Sequence, residues 1–170
     1  MAEDITFILG GARSGKSKYA EDLVLRSDLK SIYLATGRAF DDEMVERIEG
    51  HQNRRGEEWE TIEEPLALVD ALAHAAIPGR IILVDCLTLW VTNLMMAEAN
   101  VEKEANGLVS YLSEAMAPIV FVSNEVGQGV VPDNKMAREF VDLSGLVHQR
   151  LAAAANHVYF VTAGIPNKLK

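Results

Sequence analysis

The chain has 170 residues, a formal net charge of −9, and 49% apolar against 24% charged residues. This suits one globular domain over 1–170 that buries its own core, and the acidic balance argues against a nucleic-acid partner, because phosphate backbones select for excess Lys and Arg. Cys86 is the only cysteine, which excludes a disulfide framework or a cysteine metal cluster and makes a reducing cytoplasm the expected compartment.

Glu3 and Asp4 stand where a secretory leader would carry basic residues. The apolar run Ile5–Leu9 reads as a first strand, and "GGARSGKS" follows it at 10–17. The spacing is Gly10, then Gly11, Ala12, Arg13 and Ser14, then Gly15-Lys16-Ser17, which is the phosphate-loop pattern. Glycines let successive N–H groups turn inward on phosphate oxygens. Lys16 reaches the β- and γ-phosphates, and the Ser17 hydroxyl completes a Mg²⁺ shell. A helical pattern over Lys16–Arg26 supplies the helix such a loop needs.

Ser31–Ala35 reads as a second strand, and Asp41–Arg54 as a helix interrupted at Gly50. If that helix forms, Arg47, His51, Arg54 and Arg55 share one face. Neighbouring guanidiniums would keep the His51 imidazole neutral and nucleophilic. On pattern alone the plainer alternative comes first: the arginines form a solvated face paired with Glu43, Glu46, Glu57 and Glu58. The segment Glu57–Glu64 alternates weakly, as a short strand or hairpin, and Pro65–Ala76 is helical.

Ile81–Val84 is a third clear strand that ends on Asp85. A carboxylate there meets Mg²⁺ beside Ser17, or it caps a turn. The apolar stretch 81–96 is broken by Asp85, Thr88, Thr92 and Asn93, so it is too short and too polar to span a bilayer. Helical patterns cover Leu87–Ala99 and Glu102–Met116, then Ile119–Ser123 is a strand. After it, "SNEVGQGVVPDN" is either a plain connection or a site loop in which Asn124 and Glu125 face substrate or help hold the metal. A helix over Lys135–Ala155 and a strand over His157–Gly164 complete the pattern.

Continuous rather than alternating strand runs suit a parallel sheet, and alternation with helices gives an α/β fold with helices on both sides. The nucleotide site then lies at the carboxyl ends of the strands. His74, His148 and His157 have no acids or cysteines at ligand spacing. Trp59 and Trp90 read as core or interface residues. No Asn-Lys-x-Asp motif is present, and "DLSG" at 142–145 falls inside a helix, which disfavours a switch GTPase.

Taken together, the chain resembles the bifunctional adenosylcobinamide kinase/adenosylcobinamide-phosphate guanylyltransferases of cobalamin biosynthesis. The resemblance runs end to end, through "GGARSGKS", "YLATGRAFDDEMVERIEGHQNRR", "WETIEEP", "LVDCLTLWVTNL", "SNEVGQGVVPDN", "QRLAAAA" and "GIPNKLK". "HQR" at 148–150 departs from the family's usual Asn before the Gln. The resemblance implies a mainly parallel, RecA-like phosphate-loop fold and a homo-oligomer, a trimer. It implies transfer of a γ-phosphate from ATP or GTP to adenosylcobinamide, then of GMP from GTP to the new phosphate through a guanylyl-histidine at His51. By the same resemblance Lys16 is catalytic, and nucleotide contacts come from Leu34, Ala35, Thr36, Gln52, Asn53, Arg54, Arg55, Asp85 and Glu63, with Glu63 suited to guanine. Mg²⁺ falls to Ser17 and Asp85. A guanylyltransferase without the kinase step, or a non-catalytic nucleotide-binding module, are the alternatives.

Overall fold

In a computed structural model, residues 4–37, 56 and 58–170 are described. The helix expected over 41–54, together with His51, Gln52, Asn53, Arg54 and Arg55, lies outside the described residues. The chain runs β1 (Ile5–Gly10), α1 (Lys16–Leu25), β2 (Lys30–Ala35), β3 (Trp59–Glu63), α2 (Leu68–Ala75) and β4 (Arg80–Asp85). It continues through α3 (Leu87–Met96), α4 (Val101–Leu112), β5 (Ile119–Asn124), α5 (Lys135–Ala154), β6 (His157–Thr162) and β7 (Ile165–Lys168).

The strands form one sheet in the order β3-β2-β4-β5-β1-β6-β7. All neighbours pair in parallel except β6 with β7. β1, β4 and β5 are buried along almost their whole length, which is why their sequences are apolar without alternation. Helix α1 covers one face, setting Ala20 and Val24 against Ile8, Tyr33, Leu83, Val120 and Val122. The larger core lies on the other face, where α2, α3, α4 and α5 bring Leu72, Trp90, Leu108 and Leu151 against Phe7, Ile32, Val84 and Phe121.

Several expectations are sharpened. The weak segment 57–64 becomes β3, a parallel edge strand beside β2. Its side chains are half-buried or exposed, so its apolar signal is thin. The strand expected over His157–Gly164 ends at Thr162, and residues 163–164 turn the chain into β7, an exposed antiparallel strand beyond that run. "IPNK" has no apolar run to announce it, and only backbone pairing makes it a strand. Trp90 is a core residue, wholly buried, with its indole N–H on the carbonyl of Leu66 at 2.9 Å.

Candidate nucleotide site

The phosphate loop leaves β1 at Gly10 and enters α1 at Lys16. Its glycines have separate reasons. A Cβ on Gly10 would lie 2.4 Å from Ser14 Oγ and 2.8 Å from the Val161 carbonyl oxygen. Gly15 has φ 92°, and a Cβ there would meet Cα of Gly164 at 3.0 Å. At Gly11 a Cβ would meet nothing within 4 Å. That open approach is what a backbone needs to come close to a ligand. The turn between β6 and β7 clasps the loop, because the Gly164 N–H donates to the Ser14 carbonyl at 2.7 Å. Ser14 Oγ is buried without a hydrogen-bond partner.

Lys16 folds back over the loop, its Nζ donating to the Gly11 carbonyl at 3.2 Å, and only 8% of the residue is exposed. Burial lowers the pKa of its ammonium, and the negative charge of Asp85 works against that shift. The two groups are thus close enough to interact electrostatically, though β5 lies between their strands in the sheet. Asp85 accepts from the Tyr33 hydroxyl at 2.9 Å through Oδ2. Next to it Cys86 is buried, its thiol 3.0 Å from Thr88 Oγ1, and burial together with Asp85 pushes its pKa up to about 11. It is a thiol at neutral pH and no nucleophile.

Ser17, half-buried at the start of α1, and Asp85 offer two hard oxygen donors. Among the described residues no group of three or more His, Cys, Asp or Glu could hold a metal alone. This donor set fits Mg²⁺, which takes one or two protein oxygens and fills the rest of its shell with phosphate oxygens and water. The orphaned Ser14 Oγ and the open face of Gly11 fit a phosphate seated in the loop.

The end of β5 completes this side of the site. Asn124 pairs in register with Gly10, and the Glu125 N–H donates to the Gly10 carbonyl at 2.9 Å. The Glu125 carboxylate accepts from the Gly127 N–H at 2.6 Å, which fixes the start of the following loop. Just behind, Ser123 Oγ meets His148 Nε2 at 2.7 Å, both buried. Burial pulls the pKa of His148 down, with Glu125 opposing.

The structure sets Glu63, Ala35 and Asp85 in one row across the sheet, through the pairs Ala35–Glu63 and Ala35–Asp85. The side chains of Leu34 and Thr36 point elsewhere. Both residues are wholly buried. Thr36 spends its hydroxyl on the Cys86 carbonyl at 2.6 Å, its N–H on the Asp85 carbonyl at 3.2 Å, and its carbonyl on Asn93 Nδ2 at 2.7 Å. Four interstrand spacings separate β3 from β1, about 19 Å at ~4.8 Å each. Glu63 and the phosphate loop thus mark opposite ends of the site.

A cleft of about 580 Å³ opens beside the loop, on the β6 side. Residues 11–14 form one wall, and Glu125, Gln128, Phe160, Thr162 and Ala163 form others. None of the last four was marked by sequence spacing. They meet only because β6 pairs with β1 and the loop after β5 turns back over both.

The chain matches the family described as cobinamide kinase / cobinamide phosphate guanyltransferase over residues 6–169. It is 47% identical over 165 residues to the bifunctional adenosylcobalamin biosynthesis protein CobP of Pseudomonas aeruginosa, covering 96% of this chain and 95% of that one. To CobU of Escherichia coli, which carries the same bifunctional description, it is 41% identical over 179 residues, covering 96% and 98%. Two solved structures share the fold at low identity. A Pyrococcus horikoshii OT3 protein gives a TM-score of 0.58 at 9% identity, covering 98% of this chain and 86% of that one. The RadB recombinase gives 0.50 at 14% identity, covering 92% and 73%. The fold is thus that of phosphate-loop NTPases, and the chain belongs to the cobinamide kinase / cobinamide phosphate guanyltransferase family, a family of nucleotide-using transferases.

Proposed function

We propose that this chain phosphorylates adenosylcobinamide and then guanylylates the product to adenosyl-GDP-cobinamide. The observation that carries the reading is Lys16, buried inside a glycine loop within electrostatic reach of Asp85, in a chain matched almost end to end by bifunctional relatives. In the first step the acceptor hydroxyl oxygen attacks the γ-phosphorus of ATP or GTP, and the bond to the β-phosphate oxygen breaks. The loop N–H groups and the Lys16 ammonium stabilise charge on the transferring and leaving oxygens. Mg²⁺ held by Ser17 and Asp85 would neutralise the phosphate oxygens that these donors do not reach.

In the second step an imidazole nitrogen of His51 attacks the α-phosphorus of GTP. A P–N bond forms as pyrophosphate leaves, and the phosphate of the corrinoid then displaces the histidine. Glu63 suits guanine, because a carboxylate accepts from the base N1–H and its exocyclic amine. Ala35 and the stretch Gln52, Asn53, Arg54 and Arg55 belong to the same nucleotide on this reading. The active form is a cytoplasmic homo-oligomer, a trimer by family resemblance. Exposed apolar side chains at Met96, Val130, Val131 and Ile165 support an assembled state, which light scattering on the purified protein would measure.

The test is incubation with α-phosphate-labelled GTP and Mg²⁺, followed by denaturing electrophoresis and mild acid. The expected result is an acid-labile label that is lost in His51→Asn and kept in His74→Asn. Folded, GTP-binding protein that takes no label would overturn the guanylyl-histidine. A parallel assay for phosphorylated cobinamide reads the kinase step, and its absence with guanylylation intact would reduce the function to guanylyl transfer.

A further inference from the structure

We infer that the cleft on the β6 side of the phosphate loop is a second nucleoside subsite, which takes the purine nucleoside of the phosphoryl donor. This rests on the two-step reading above and deepens it: one phosphate cradle serves two nucleotides that enter from opposite sides. The guanine of the guanylyl donor lies toward Glu63, and the donor of the first step lies toward β6.

Three observations converge. The first is position. The cleft shares residues 11–14 with the phosphate loop, so a triphosphate seated there has a cavity directly beside its outer wall. Glu63 lies across the sheet, with β2, β4 and β5 between its strand and β1. The second is size. About 580 Å³ falls within the range of small-ligand pockets, and it is too small for a corrin macrocycle carrying an adenosyl group.

The third is chemistry. Phe160, half-buried against the core, offers an aromatic face for a base. Gln128 carries both a donor and an acceptor, which suits a purine edge. The Thr162 hydroxyl and the Glu125 carboxylate can meet ribose hydroxyls. The β6 wall and the base of the loop after β5 are also fixed. Gly164 ties the β6–β7 turn to Ser14, Phe160 pairs with Leu9 and Asn167, and the Glu125 N–H is bonded to Gly10. The side of the subsite built by the phosphate loop and β6 is therefore formed before any ligand arrives.

The test uses two probes on the full chain, Mg·ADP and GMP, followed by calorimetry. GMP lacks the β- and γ-phosphates, so it leaves the cradle free. The expected result is that protein saturated with GMP still binds one equivalent of Mg·ADP with affinity changed less than threefold. Strict competition between the probes would mean one shared nucleoside position and would overturn the proposal. Gln128→Trp, in an exposed loop, fills the cleft without touching the core, and it should weaken Mg·ADP binding at least tenfold. Unchanged Mg·ADP affinity in that variant also overturns the proposal. If cobinamide KM in the kinase assay rises instead, the cleft belongs to the acceptor arm. None of these readouts needs the guanylyl-histidine, so loss of labelling at His51 and loss of the second subsite are separate results.

Discussion

The side-chain amide of Asn93 donates to the carbonyl of Thr36 at 2.7 Å and to that of Pro65 at 3.0 Å. One buried residue of α3 thus ties the chain where it leaves β2 to the chain where it approaches α2. Both amide hydrogens are used, and the Asn93 carbonyl oxygen is buried without a partner. Since Thr36 is bonded in turn to Asp85 and Cys86, the ends of the 37–64 excursion are anchored to the end of β4.

Asn93→Ala should be one of the most damaging single changes outside the phosphate loop. It leaves the buried Thr36 carbonyl and the half-buried Pro65 carbonyl unpaired and opens a void, at a cost of about 3 kcal/mol. For a chain of this length that lowers Tm by roughly 9 °C. Thr36→Val keeps the shape and loses only the 2.6 Å bond to Cys86, so about 1–2 kcal/mol is expected. Thermal unfolding of both variants checks the order. Equal effects would mean that the clamp on Pro65 contributes nothing.

The loop glycines should separate stability from binding. Gly10→Ala forces a Cβ to within 2.8 Å of the backbone oxygen of Val161, which shifts β1 against β6 and costs about 1–3 kcal/mol. Gly164→Ala keeps its N–H bond but holds alanine at φ 78°, for about 1–2 kcal/mol. Gly11→Ala meets no atom of the protein within 4 Å. It should unfold at the wild-type temperature and bind Mg·ADP at least tenfold more weakly, because the added methyl occupies the phosphate's approach.

Lys16→Met should trade function for stability. A lysine whose pKa falls on folding is destabilising at every pH where it stays charged, and the cost disappears only at high pH. Burial is the main cause here. The variant without nucleotide should therefore show a Tm no lower than wild type at neutral pH. Its kcat/KM in the kinase step should fall by about 10³. A large drop in Tm would show that the attraction of Asp85 outweighs the burial.

His148 predicts an acid-side weakness. Its pKa is lowered from 6.5, chiefly by burial. The stability tied to its neutral form is thus fully present above about 6.5 and is lost as pH falls from there through the folded value. Tm measured from pH 7.5 to 5 should decline, and the decline should be shallower in His148→Gln. Parallel curves for the two proteins would assign the acid sensitivity to other groups.

Local features were readable in the sequence and long-range ones were not. The phosphate loop depends on eight consecutive residues, and the buried strands are continuous apolar runs, so both could be found by spacing alone. The end of β4 could be read for the same reason. β3 was ambiguous because an edge strand with exposed side chains needs little apolar sequence. β7 carried no signal, since Pro and Asn enter a strand there only on backbone pairing with β6. Asn93 looked like an interruption in an apolar stretch, and its role depends on two carbonyls 57 and 28 residues away in sequence. Phe160, Gln128 and Thr162 share a cavity only after the sheet has ordered its strands.

The clasp of Gly164 on Ser14 also sets an order of events during synthesis. Ser14 leaves the ribosome 150 residues ahead of Gly164, whose backbone braces its loop. Until residue 164 has emerged, β1 lacks β6 on one side and the loop lacks its outer support. A chain interrupted before residue 164 should therefore carry the whole phosphate-loop sequence and still fail to hold a nucleotide. Competence to bind is in this sense a report that β6 and the turn after it have been made.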